Sequence, residues 1–81
     1  MNNYSKIIKP DINQLINDNT NLVKKISWHL HGRVNSIVDV EDVIQIGMLG
    51  LISAAQNYVP QKNASFASYA SIRIKGEILD Y

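Results

Sequence analysis

Apolar residues recur along this chain at helical spacing, and no stretch sustains the strict alternation of a half-buried strand. Ile12, Leu15, Ile16, Leu22, Val23, Ile26 and Leu30 fall on one stripe at about 3.6 residues per turn, with Asn19 as the single polar interruption. Asp11 is placed to cap the start and Gly32 to end the run. Residues 17 to 21, NDNTN, are poor helix formers, so a break there and one continuous rod are both open readings. A second helix begins at Asp39, with Glu41 and Asp42 against the positive end of its dipole. It should stop near Tyr58, because Pro60 disfavours helical geometry at Val59. QKNA, before Ser65, reads as a turn, and a third helix runs from Ser65 to the end of the chain. The pattern predicts an all-α fold, a compact bundle of three main helices forming a single domain over residues 1–81.

The middle helix, DVIQIGMLGLISAAQNYVP, carries Gly47 and Gly50 in its interior, where each glycine costs about 1 kcal/mol relative to alanine. On a helical wheel both lie at the centre of one face with Val40, Val43, Ile44, Leu51, Ala54, Ala55 and Tyr58. So narrow a face lets another backbone come close, which explains the glycines better than a phosphate loop, since no strand precedes them. The opposite side offers Asp42, Gln45, Leu49 and Ile52, flanked by Ile46 and Met48. A solvated face would carry lysines and glutamates. This mixed apolar surface fits a protein interface, or a face covered by another helix, and the pattern leaves both open.

Composition narrows the function classes. Eighty-one residues build one small core and leave no room for a large enclosed active site. Cysteine is absent, which removes disulfides and thiolate metal sites and fits a cytoplasmic location. The first residues lack the apolar core of a signal peptide, and the apolar run from Val43 to Ala55 is too short for a bilayer. Net charge is +1, and each lysine taken singly reads as solvated surface. His29 and His31 are two residues apart and face different ways, so no metal site is expected. Ser27, Ser53, Ser65, Ser68 and Ser71 suit capping or close packing; no serine–histidine–carboxylate set or paired carboxylates suggest catalysis. Neither enzymatic activity nor a cofactor is expected. Trp28 lies opposite the apolar stripe and is either partly exposed or covered by residues 33–38, with packing the favoured role.

LVKKISWHLHGRV, followed by DVEDVIQIGMLGLISAAQNYVPQKNASFASYASIRIKGEILDY, resembles region 2 of bacterial RNA polymerase sigma factors, most of all the flagellar and motility class. That class reads LV-x-x-IA, then DLIQ-x-G-x-IGL-x-x-A, a turn, and F-x-x-YA-x-x-RI-x-G-x-x-LD. The likeness covers roughly residues 20–81 in order and spacing, leaving 1–19 as a variable N-terminal segment.

The resemblance implies a transcription initiation factor without catalysis of its own, whose partners are core RNA polymerase and promoter DNA. In the family the DLIQ-x-G helix docks on the clamp coiled coil of the largest polymerase subunit. Asp42, Gln45, Ile46, Met48, Leu49 and Ile52 become the implied core-binding residues. Housekeeping members place an acidic residue at Ile46 and often an amide at Met48, so hydrophobic burial should weigh more here. The third helix matches the segment that opens the −10 element, where aromatic rings capture an unstacked base. Phe66, Tyr69, Ile72, Arg73 and Lys75 are the implied DNA-binding residues, with Arg73 and Lys75 suited to phosphates. Housekeeping members carry two tryptophans at Ile72 and Arg73, a departure the flagellar class shares. For Phe66 core packing is the expected role, and for Tyr69 core and base contact stay open. GEILDY stops where the family pattern continues, so a C-terminally truncated piece is expected. A covering anti-sigma factor and self-association of the bare apolar face also stay open. The alternative reading is a helical adaptor or anti-sigma-like regulator that uses the same face on a protein and never meets DNA.

Overall fold

The computed structural model describes residues 11–34, 37–60 and 64–81. Among the described residues the fold consists of four helices: α1 (Ile12–Asp18), α2 (Thr20–Val34), α3 (Val40–Asn57) and α4 (Phe66–Leu79). No strand occurs among the described residues, and none of their helices is long and apolar enough to cross a membrane. The residues before Asp11 and residues 61–63 of the expected QKNA turn lie outside the described residues.

The break that the sequence left open is real. Asp11 Oδ1 accepts from Asn13 N–H at 3.0 Å and starts α1. Asn19 then ends it: the side-chain amide donates to the Leu15 carbonyl at 2.8 Å, and the backbone N–H to Ile16 at 3.2 Å. Those bonds satisfy carbonyls that the broken helix orphans, while the Asn19 carbonyl accepts from Leu22 and opens α2. Gly32, in contrast, does not stop α2, which continues to Val34. A glycine stop works through the left-handed conformation, and no described glycine adopts a positive φ. Of the two readings of Trp28, the exposed one holds and the favoured packing role does not. Its side chain is 63% exposed, edge-on to His31, whose Nε2–H donates instead to the Val38 carbonyl and ties α2 to the approach to α3.

Helix α3 is the centre of the bundle, touching α1, α2 and α4. Its wheel face is the buried one: Val40, Val43, Gly47, Gly50, Leu51, Ala54 and Ala55 face inward. They meet Val23, Ile26 and Leu30 of α2 and Phe66, Ala70, Ile74 and Ile78 of α4, with Leu15 and Ile16 of α1 sealing one edge. The two glycines serve different neighbours. A Cβ on Gly50 would stand 2.7 Å from both the Arg73 carbonyl oxygen and the Ile74 Cα, so α3 and α4 touch backbone to backbone. A Cβ on Gly47 would meet side chains instead: Val23 Cγ1 at 2.9 Å, Ser27 Oγ at 3.2 Å and Ile78 Cδ1 at 3.3 Å.

Ser27 is fully buried in that α2–α3 contact, and its hydroxyl has no hydrogen-bond partner among the described residues. A buried unpaired hydroxyl is destabilising, so Ser27→Ala is expected to stabilise the fold by about 1 kcal/mol. For a domain of this size that raises the thermal midpoint by roughly 4–8 °C. Melting followed by circular dichroism checks it, and a lower midpoint would show that the hydroxyl finds a partner in solution.

Candidate functional site

With the apolar face of α3 turned inward, its other side is left facing solvent. Asp42, Gln45 and Leu49 are exposed along it, Leu49 by 58%, and Ile52 is half-buried beside them. Ile46 and Met48, on the two flanks, are half-buried and pack partly against the core. They therefore offer only an edge each. Local chemistry keeps the acidic end available: Asp39 takes the cap, accepting from Glu41 N–H at 3.2 Å, so the Asp42 carboxylate is not consumed in capping.

Helix α4 is started by Ser65, whose Oγ accepts from Ser68 N–H at 3.2 Å. The Tyr58 hydroxyl donates to the Ala64 carbonyl at 3.0 Å and closes the approach from α3. Three rings gather there. Tyr58 lies edge-on to Phe66 with centroids 5.2 Å apart and tilts against Tyr69 at 5.8 Å. Phe66 is only 9% exposed and belongs to the core cluster. Tyr69 is half-buried, packed against the core yet partly open. Ile72 is 70% exposed, the most exposed of the large apolar side chains on α4.

Arg73 and Lys75 are both exposed, but the structure does not bring them together. Arg73 leans toward α3, where its Nη2 donates to Ser53 Oγ at 3.1 Å. Lys75 lies on the opposite flank of α4 and lines a groove against α2. The α3 surface and the polar edge of α4 thus meet at Ser53 and Arg73, whereas Lys75 looks onto different ground. Among the described residues no three His, Asp or Glu side chains come together as a metal site would require.

Residues 15–81 match the family described as sigma-70 region 2. The chain belongs to that family. It is 52% identical over 67 residues to the RNA polymerase sigma factor FliA of Pseudomonas aeruginosa, covering 83% of this chain and 27% of that protein. The RNA polymerase sigma-D factor of Bacillus subtilis is 36% identical over 59 residues, covering 68% of this chain and 23% of the relative. Sigma factor FliA of Escherichia coli K12 is 34% identical over 59 residues, covering 73% and 25%. The chain therefore spans about a quarter of the length of these sigma factors.

Sequence reading of this sigma region 2 chain missed two relationships. One is the Ser53–Arg73 bond, which joins residues twenty apart and leaves no local signal. The other is the company of Lys75: Lys25 and His29 of α2 line the same groove. Their spacing of four does place them on one helical face, a signal that reading each lysine singly discards.

Proposed function

We propose that this region 2 chain docks on the clamp coiled coil of core RNA polymerase through the outer face of α3, and helps capture and open the −10 promoter element through α4. Asp42, Gln45, Leu49 and Ile52 form the centre of the docking face, with Ile46 and Met48 at its margins. Tyr69 offers a ring for an unstacked base, Ile72 an apolar wedge beside it, and Arg73 and Lys75 charges for phosphates. Phe66 supports Tyr69 through Tyr58 rather than meeting DNA itself. The observation that carries this reading is the exposure of Leu49 in line with Asp42 and Gln45 on the side of α3 turned away from the core. Leu49 is not isolated there: half-buried Ile52, Ile46 and Met48 lie beside it with little charge around them, which makes a contiguous apolar strip of the kind that docks a partner. The adaptor reading accounts for α3 equally well but leaves Tyr69 and Ile72 without a role.

The test separates the two surfaces. In the full sigma polypeptide assembled with core polymerase, Tyr69→Ala is expected to reduce promoter opening, read by permanganate reactivity, while core capture in a pull-down stays unchanged. Loss of one base stack, worth roughly 1–3 kcal/mol, corresponds to a reduction of about 5- to 150-fold. Opening that survives the change, or equal losses of opening and capture, would return Tyr69 to the core.

A further inference from the structure

Helix α3 places two small residues, Gly50 and Ser53, one turn apart, and Arg73 of α4 meets both. The missing side chain at Gly50 lets the Arg73 backbone come close, since a Cβ there would stand 2.7 Å from the Arg73 carbonyl oxygen. One turn further along, Ser53 Oγ accepts from Arg73 Nη2 at 3.1 Å. Arg73 is thus held from α3 at both ends, by its backbone and by its guanidinium. No carboxylate pairs with it among the described residues, so its charge and its other guanidinium N–H groups are unspent. Lys75, exposed on the other flank of α4, has no anchor of this kind. Ser71 shows the usual habit of a mid-helix serine, donating to the Ala67 carbonyl of its own helix at 2.7 Å. Ser53 turns its hydroxyl to the neighbouring helix instead. Tyr69 stands one turn before Arg73 and is supported from α3 in a parallel way, by the Tyr58 ring at 5.8 Å. Side chains four apart on a helix have Cβ atoms about 5–6 Å apart, close enough for one nucleotide to meet both, its base on the ring and its phosphate on the guanidinium.

We propose that Ser53 is a positioning residue for promoter binding: it holds the Arg73 guanidinium beside Tyr69, so that the phosphate next to the captured base meets a cation already in place. This rests on the reading of α4 given above and gives Ser53 a role beyond close packing. An unanchored arginine loses rotamer freedom when it takes a phosphate, whereas the bond to Ser53 orders the side chain before the strand arrives. The hydroxyl acts through Arg73 and touches no nucleic acid. Its removal therefore costs no more than one net hydrogen bond contributes.

The full sigma polypeptide, assembled with core polymerase, is titrated with a labelled oligonucleotide carrying the −10 non-template strand across a range of salt. Ser53→Ala is expected to weaken binding by about 2- to 10-fold at every salt concentration. The slope of log affinity against log salt should stay as in the wild type, because the charge of Arg73 remains. Arg73→Ala should lower the magnitude of that slope by about 0.7, the signature of one lost phosphate contact on a single strand. In the Arg73→Ala background, Ser53→Ala should cost nothing more. Core capture by Ser53→Ala in a pull-down should be unchanged, and its thermal midpoint should not fall, since alanine is the better helix former. Wild-type binding by Ser53→Ala, or an equal loss whether or not Arg73 is present, would overturn the positioning role. Lost core capture would overturn it too, by placing the Ser53 hydroxyl in the polymerase interface. A lowered slope in Arg73→Ala beside a silent Ser53→Ala would sink the positioning role alone and leave the α4 reading standing. An unchanged slope in Arg73→Ala would take Arg73 away from the phosphates and this inference with it, while Tyr69→Ala still decides the base contact.

Discussion

Gly50→Leu is expected to leave the domain largely unfolded at room temperature, and Gly50→Ala to lower its stability by about 1–3 kcal/mol despite alanine's better helix propensity. The reason is the nature of the neighbour. A methyl on Gly50 would lie 2.7 Å from the Arg73 carbonyl oxygen and the Ile74 Cα, and backbone atoms inside a packed helix cannot rotate aside as a side chain can. Accommodating it means moving α4 off α3, and with α4 go the core contacts of Phe66, Ala70, Ile74 and Ile78. A domain of this size holds a total stability of only about 4–12 kcal/mol, so separating its two most extensively packed helices consumes most of it. Gly32 and Gly76 supply the control. Nothing lies within 4 Å of a Cβ at either position, so Gly32→Ala and Gly76→Ala should each stabilise by up to about 1 kcal/mol. Thermal and urea melts of the four variants check the ordering, and a Gly50→Ala protein as stable as Gly76→Ala would show that α3 and α4 do not pack as described. Gly47→Ala should cost less than Gly50→Ala, because the tightest contact there is a Val23 methyl that can shift.

Leu49→Asp is expected to leave folding almost untouched and to remove capture of the polymerase clamp coiled coil. Leu49 is already 58% exposed, and surface changes of this kind alter stability by about 0.5 kcal/mol or less. In a docked interface the same position would be desolvated, and an unpaired carboxylate there costs at least about 2 kcal/mol, or roughly 30-fold in affinity. Asp42 one side and Gln45 between add no cation to compensate the new charge. The measurement is a pull-down of the clamp coiled coil with wild-type and variant chains, alongside a thermal melt. A variant that unfolds would make Leu49 a core residue, and a variant that binds at wild-type strength would move the docking face off α3.

Together the two substitutions separate the faces of one helix. Gly47 and Gly50 were legible as a close-packing face because small residues at helical spacing have few other uses, and Leu49 was legible as its opposite because periodicity alone places it half a turn away. The caps at Asp11, Asp39 and Ser65 and the end of α3 ahead of Pro60 were legible for the same reason: each depends on atoms within four residues. Where the sequence misled, the deciding partner was distant or conformational. Gly32 looked like a stop, but a glycine is equally able to remain helical, and α2 does so with His31 reaching the Val38 carbonyl. For Trp28 the sequence left cover by residues 33–38 and partial exposure open while favouring cover; His31 ties Val38 to α2, and the indole stays open.

The sequence by itself determined the helical class, most helix boundaries and the inward and outward faces of α3, because local hydrogen bonds and period are written in neighbouring residues; the region 2 family was legible separately, through the likeness of its long compound motif. Only the tertiary structure decided which glycine touches backbone and which touches side chains, that Arg73 leans on Ser53, and that Lys75 parts from Arg73 to join Lys25 and His29. Those facts depend on how helices far apart in the chain cross and rotate against one another, and the geometry of that crossing is set by packing the whole core at once.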